Sequence, residues 1–268
     1  MVLGYDQSRP GADNYRKFME ELVAGLGGLG NDGLGLMLYG SYVRRDYTPG
    51  RSDIDAVLTF PYNVVIPKDF MHDVSAVLCE AWKGNNVPFQ VCPADLATVR
   101  DGRFNSFTDD FYDYFRDEGR VVLGPDYRSQ MTCLPAKTGV ESVLSHNLRK
   151  ARQGLLFAVH NRKSDCRKLL EGFDATLSAA SRGSKQVLYL VDGHLRKNRF
   201  SALAELPRHF PAVKVAPLER MRDLFHHPEK LDALYMDTDE LMNVWNDAVT
   251  FFEEVIREYI MKYPRRET

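Results

Sequence analysis

No apolar run in this 268-residue sequence approaches the roughly 20 residues that a helix needs to cross a bilayer. A helical membrane protein is thereby excluded. The N-terminal MVLGYDQSRPGADNYRKF also lacks the apolar core of a secretory signal, so a cytoplasmic protein is expected. Cysteine is scarce, and Cys79, Cys92, Cys133 and Cys166 form no C-x-x-C pair. That spacing fits neither a disulfide framework nor a zinc site, and reduced, mostly buried thiols are expected. Charge of one sign is lacking as well: 35 Lys and Arg stand against 37 Asp and Glu, for a net charge of −2. No global basic field marks a nucleic-acid binder, which leaves only a local patch for such a role. Neither an internal repeat nor a low-complexity tract is present.

What is there suits a globular chain: 44% hydrophobic and 27% charged residues, enough apolar surface for one large domain or two modest ones. Tyr15, Phe18, Met19, Leu22 and Leu26 share a helical face, which predicts an amphipathic helix over 12–26. The glycine-rich GLGGLGNDG breaks it, and its spacing is no dinucleotide fingerprint. Strands are predicted at 34–40 (LGLMLYG), 54–60 (IDAVLTF), Phe89–Cys92 and Arg120–Leu123, with helices over 68–84 and within FTDDFYDYFRDEGR. From about residue 137 the pattern turns wholly helical. Its last segment carries the apolar stripe Leu241, Val244, Trp245, Val249, Phe252, Val255, Ile256 and Tyr259, opened by an N-cap-like Thr238. The fold class expected is α/β: a small mixed sheet with flanking helices over residues 1–128, then an α-helical bundle over 129–268, with 126–137 as the linker.

Chemistry concentrates in Tyr39-Gly40-Ser41, eleven intervening residues, and Asp53-Ile54-Asp55, with Ser52 just before the pair. Gly40 ends a strand, where bare backbone can approach a ligand closely. Ser41 opens a short helical segment whose free N–H groups suit phosphate. Asp53 and Asp55 are two residues apart at a strand start, so both carboxylates point to one side. Two like charges so close call for a cation, and Mg²⁺ takes few carboxylates plus substrate phosphate oxygens.

This pattern resembles the DNA polymerase β-like nucleotidyltransferase superfamily, whose hallmark is Gly-Ser, a spacer, then Asp-x-Asp. The resemblance implies a Mg²⁺ site at Asp53 and Asp55, which are also the catalytic pair. It implies nucleotide binding by Gly40, Ser41, Arg44 and Ser52. A nucleotidyltransferase domain followed by a helical bundle looks like the aminoglycoside adenylyltransferases. That implies transfer of AMP, or another NMP, from an NTP such as ATP to a hydroxyl of a small-molecule acceptor. The family also places a third carboxylate on the next strand, where this sequence has the neutral Gln90; Asp95 replaces it only if the strand slips or bulges. Gln90 cannot remove a proton.

Three functional classes follow. One is transfer to a small molecule, an aminoglycoside first. Another is transfer to a tRNA end or a protein, which the near-neutral charge disfavours. The last is a nucleotide-binding, antitoxin-like protein that catalyses weakly. Arg44, Arg45 and Arg51 either meet phosphates or form a solvated face. Lys185 either reaches the γ-phosphate or is exposed. His226-His227 reads better as a helix end than as a metal pair, because adjacent helical residues diverge. Phe107, Phe111, Tyr114 and Phe115 read as core, and Asp109, Asp110, Asp113, Asp117 and Glu118 as a solvated acidic face.

Overall fold

A computed structural model describes residues 9–62, 65–101, 107–108, 115–134, 136–164 and 166–264. The chain divides into two compact units, with the break between Ala136 and Lys137.

In the first unit, helices α1 (Ala12–Gly28) and α3 (Lys68–Trp82) cover one face of a four-stranded sheet. Its strands are β1 (Gly35–Tyr39), β2 (Ile54–Phe60), β3 (Phe89–Asp95) and β5 (Arg120–Leu123), in the order β3-β2-β1-β5. β1 runs antiparallel to β2 and β5, while β2 and β3 are parallel. Strand alternation sorts the side chains. Leu36, Leu38, Ile54, Ala56 and Leu58 pack on Tyr15, Phe18 and Leu22 of α1 and Val74 of α3. Met37, Tyr39 and Val57 point the other way, into a smaller core with Ala94, Val99, Phe115 and Met131. Burial on both faces explains why β2 reads as a near-continuous apolar run.

Several expectations shift here. β3 extends past Cys92 to Asp95, and α4 (Leu96–Asp101) follows it directly. Phe107–Thr108, expected in a helix, form a short strand β4 parallel to β6 (Cys133–Leu134). Ladder pairing outweighs the local helical spacing there. The helical part of that segment is a turn over residues 115–118, whose Phe115 is core; Phe111 and Tyr114 lie outside the described residues. The stretch read as a linker is pinned to the first unit: Tyr127 Oη donates to the Gly33 carbonyl at 2.8 Å, and Thr132 N–H to the Val99 carbonyl at 3.0 Å. Cys79 is exposed rather than buried, and Cys92 is half-buried.

The second unit is helical: α5 (Ala136–Ser164), α6 (Cys166–Asp192), α7 (Ala202–His209), α8 (Ala216–His226), α9 (Pro228–Met236) and α10 (Thr238–Lys262). The apolar stripe of α10 forms its centre, with Trp245 fully buried 5.7 Å from the Phe173 ring and its Nε1–H donated to Thr176 Oγ1 at 2.9 Å. The cap of α10 is Asp237, whose carboxylate accepts the Glu240 N–H at 3.0 Å; Thr238 is already inside the helix. Among the described residues no helix is long and apolar enough to cross a membrane.

After α6 ends at Gly193 (φ +72°), Arg196 turns back to pair with Asp192 and Glu205. Asp192, Glu205 and His209 bring their ligand atoms within 4.8 Å of one another, but the Arg196 guanidinium already balances both carboxylates. Hydrogen bonds from Arg196, opposed by partial burial, lower the Asp192 pKa to about 2 from its usual 3.8. A lowered folded-state pKa contributes stability above the unfolded pKa, and that contribution is lost as pH falls. Asp192→Asn is therefore expected to melt below wild type at neutral pH, with the gap closing between about pH 4 and pH 2 in a thermal titration. The gap should be small, because the pair is solvent-screened.

Candidate active site

β1 ends at Tyr39 and the chain turns at Gly40 into the one-turn helix α2 (Ser41–Arg44). Gly40 has φ +81°, a conformation that costs any residue with a side chain. A Cβ there would also lie 2.5 Å from Asp55 Oδ2. The Asp55 carboxylate thus sits directly against the Gly40 backbone, in the space a side chain would fill. Across the sheet, Asp55 is in register with Tyr39 of β1 and Gln90 of β3. Asp53 precedes β2 by one residue, and both aspartates are half-buried.

The loop from α2 to β2 is fastened from below. Tyr15, fully buried on α1, donates its hydroxyl to the Ser52 carbonyl. Its pKa is pushed up to about 12, mainly by burial, with the negative charge of Asp53 adding to the rise. The phenol therefore keeps its proton, and the donor that fixes the residue before Asp53 persists. Tyr15 also packs against Tyr42 of α2 and Tyr47, with ring centroids at 6.1 and 5.0 Å. The Ser52 hydroxyl is buried and accepts the Thr48 N–H at 2.8 Å. Ser52, expected at the nucleotide, thus spends its hydroxyl on closing the loop, and Ser41 stands half-buried at the head of α2.

Arg44, expected either at phosphates or on a solvated face, has a side chain only 19% exposed and pairs with Glu118 and Asp46. Burial works against its charge, but the two carboxylates more than offset that and raise its pKa. Glu118, read from the sequence as part of a solvated acidic face, is instead nearly buried beside Gly40, a role the sequence did not reveal. It is the last residue of the helical turn before β5, its side chain is 5% exposed, and its Oε1 accepts both the Gly40 N–H and an Arg44 Nη1 hydrogen at 2.9 Å. No local pattern could link residue 118 to residue 40; only the β1–β5 pairing does.

Gln90 is exposed at the register position beside Asp55. Asp95 does not replace it. It lies five positions along β3 opposite Phe60, 4% exposed, and its carboxylate accepts the Thr98 N–H at 2.8 Å and hydroxyl at 2.6 Å, capping α4. Lys185 is spent on the Arg196 carbonyl at 2.9 Å. His226 and His227 diverge as expected: the first packs on Phe200 and Phe225, the second contacts Asp223. Asp109, Asp110 and Asp113 lie outside the described residues, whereas Asp117 pairs with Arg116.

Residues 15–117 match the family described as a nucleotidyltransferase domain. No curated protein sequence matches the chain. Among solved structures, the chain is similar to spectinomycin adenyltransferase AAD(9) from Enterococcus faecialis, determined with ATP and spectinomycin. The likeness has a TM-score of 0.51 at 12% identity and covers 90% of this chain and 98% of that one. At that identity it speaks for the fold: a mixed sheet with helices, then a largely helical region.

Proposed function

We propose that this chain transfers a nucleoside monophosphate from a Mg²⁺-bound NTP, ATP first, to a hydroxyl of a small molecule. The carrying observation is the seat of Asp55 against the bare Gly40 backbone, with Asp53 two residues earlier, just before β2. Two half-buried carboxylates with only oxygen donors fit a hard divalent cation, and Mg²⁺ more than zinc. Asp53 and Asp55 would hold the Mg²⁺, whose chemistry there would be Lewis-acid stabilisation of the transferring phosphoryl group and neutralisation of pyrophosphate charge.

The chain's own residues do the rest. Gly40 lets the Asp55 carboxylate sit against bare backbone, and Ser41 opens α2, where a hydroxyl and free N–H groups suit phosphate. Tyr15 and Ser52 hold Asp53 by its neighbouring peptide. Arg44 acts in this reading through the loop, since its guanidinium is committed to Glu118 and Asp46. The helical second unit supports a small-molecule acceptor. The likeness to a protein solved with ATP and spectinomycin makes aminoglycosides the class to screen first.

One observation favours a second reading. Gln90, neutral and beside Asp55, offers an acceptor hydroxyl no base. The chain would then bind nucleotide and transfer it poorly. Calorimetry with ATP, with and without Mg²⁺, tests the shared premise. Wild type is expected to bind only with Mg²⁺, and Asp53→Asn to bind about tenfold or more weakly. No Mg²⁺-dependent binding of any of the four NTPs to wild type would sink both readings. Mass analysis of a drug panel incubated with Mg²⁺ and nucleotide then separates transfer from binding alone.

A further inference from the structure

We propose that Glu118 is a positioning residue that sets the Gly40–Ser41 turn for the triphosphate, an inference that rests on the nucleotide-binding reading above. The turn is bounded by two left-handed residues, Gly40 at φ +81° and the non-glycine Arg45 at φ +66°. Backbone of that kind persists only where its surroundings hold it. Glu118 is the holder. Oε1 takes the Gly40 N–H at one end of the turn, and Oε1 and Oε2 take Arg44 Nη1 near the other, at 2.9, 2.9 and 3.1 Å. With a side chain 5% exposed, the carboxylate is nearly shut off from water.

The charge balance matters as much as the geometry. A bare carboxylate this close to a triphosphate would repel it. Arg44 cancels that charge, so Glu118 can grip Gly40 without penalising phosphate. Gly40 is gripped on its other side by the Asp55 carboxylate. One glycine therefore sits between the residue that shapes the phosphate turn and the residue that would hold the metal. Displacing Glu118 shifts the turn relative to Asp55, which a merely stabilising ion pair elsewhere would not do. Its oxygens are engaged by N–H donors, and the role assigned is through Gly40, without substrate contact.

The test is Glu118→Gln in the full chain, read by three measurements. These are calorimetric affinity for Mg²⁺–ATP, the thermal midpoint without nucleotide, and hydrogen exchange at the Gly40 amide. The amide side chain can still accept from Gly40 but removes the Glu118 charge from Arg44, which keeps Asp46 as a partner. Nucleotide affinity is expected to fall about tenfold or more in the folded protein, with faster exchange at Gly40. In an acceptor assay, KM for ATP should rise while kcat changes by less than about threefold. A lowered midpoint with unchanged affinity would make Glu118 purely structural and overturn the proposal. Tighter binding would overturn it too, by making the carboxylate a competitor for the phosphate's place. If Glu118→Gln does not fold, Glu118→Asp decides on the same criteria. It keeps the charge and draws it back by one methylene, and wild-type affinity in that variant would defeat the idea. Absent binding in wild type as well would instead reject the functional reading, and the positioning role with it.

Discussion

Asp55→Asn is expected to lower metal-dependent nucleotidyl transfer by about a thousandfold or more, with little loss of stability. The substitution keeps the shape of the side chain in its seat against Gly40, where the absence of a Cβ makes room for it. It removes one negative charge from the pair that would hold the cation, and a neutral amide oxygen is a far weaker ligand for Mg²⁺ than a carboxylate. Removing a like charge beside Asp53 also relieves repulsion in the metal-free protein, so its thermal midpoint should be unchanged or slightly raised. The metal-loaded state should show the opposite order. Wild type gains stability from Mg²⁺–ATP by mass action, and the variant does not. Single-turnover transfer and thermal shifts with and without Mg²⁺–ATP check both halves. Retention of a tenth or more of wild-type transfer would remove Asp55 from the centre of the site.

The reason this pair could be read from sequence at all is that its geometry is local. A strand end, a glycine, and two aspartates at i and i+2 obey rules that operate over a few residues. The structure adds what such rules cannot carry. Ser52 and Arg44 lie inside the same motif, yet the Ser52 hydroxyl closes the loop by accepting the Thr48 N–H, while Tyr15 and Glu118, from outside the motif, take the Ser52 carbonyl and the Arg44 guanidinium. Phe107 shows the converse failure: its helical spacing with Phe111 is real, but pairing with Cys133 makes it a strand. Local cap chemistry was misjudged by one residue at Asp237, where Asp and Thr are both good caps and only the Glu240 N–H decides between them. The sheet and the helical character of the second half follow from periodicity; the division of that half into separate helices depends on breaks such as Gly193, whose meaning is set by packing.

Gln90→Glu is expected to raise kcat for hydroxyl acceptors about a hundredfold, the lower end of what a positioned general base contributes. The register fixes the geometry of the argument: residue 90 stands directly beside Asp55 on the parallel neighbour strand, on the same side of the sheet and exposed to solvent. A carboxylate introduced there would meet the negative charges of Asp53 and Asp55, and like charge raises a carboxyl pKa toward the pH at which proton removal is most effective. Without metal, the third carboxylate should lower the thermal midpoint through repulsion. Added Mg²⁺ should restore it, whereas Gln90→Ala should show neither effect. The pH–rate profile supplies the discriminating readout: the variant should gain a rising acidic limb from the new base, which wild type lacks. A flat or reduced kcat in Gln90→Glu, with metal binding intact, would mean that proton removal does not limit the reaction. In that case positioning by the Gly40 turn and its Glu118 clamp would be the step to pursue.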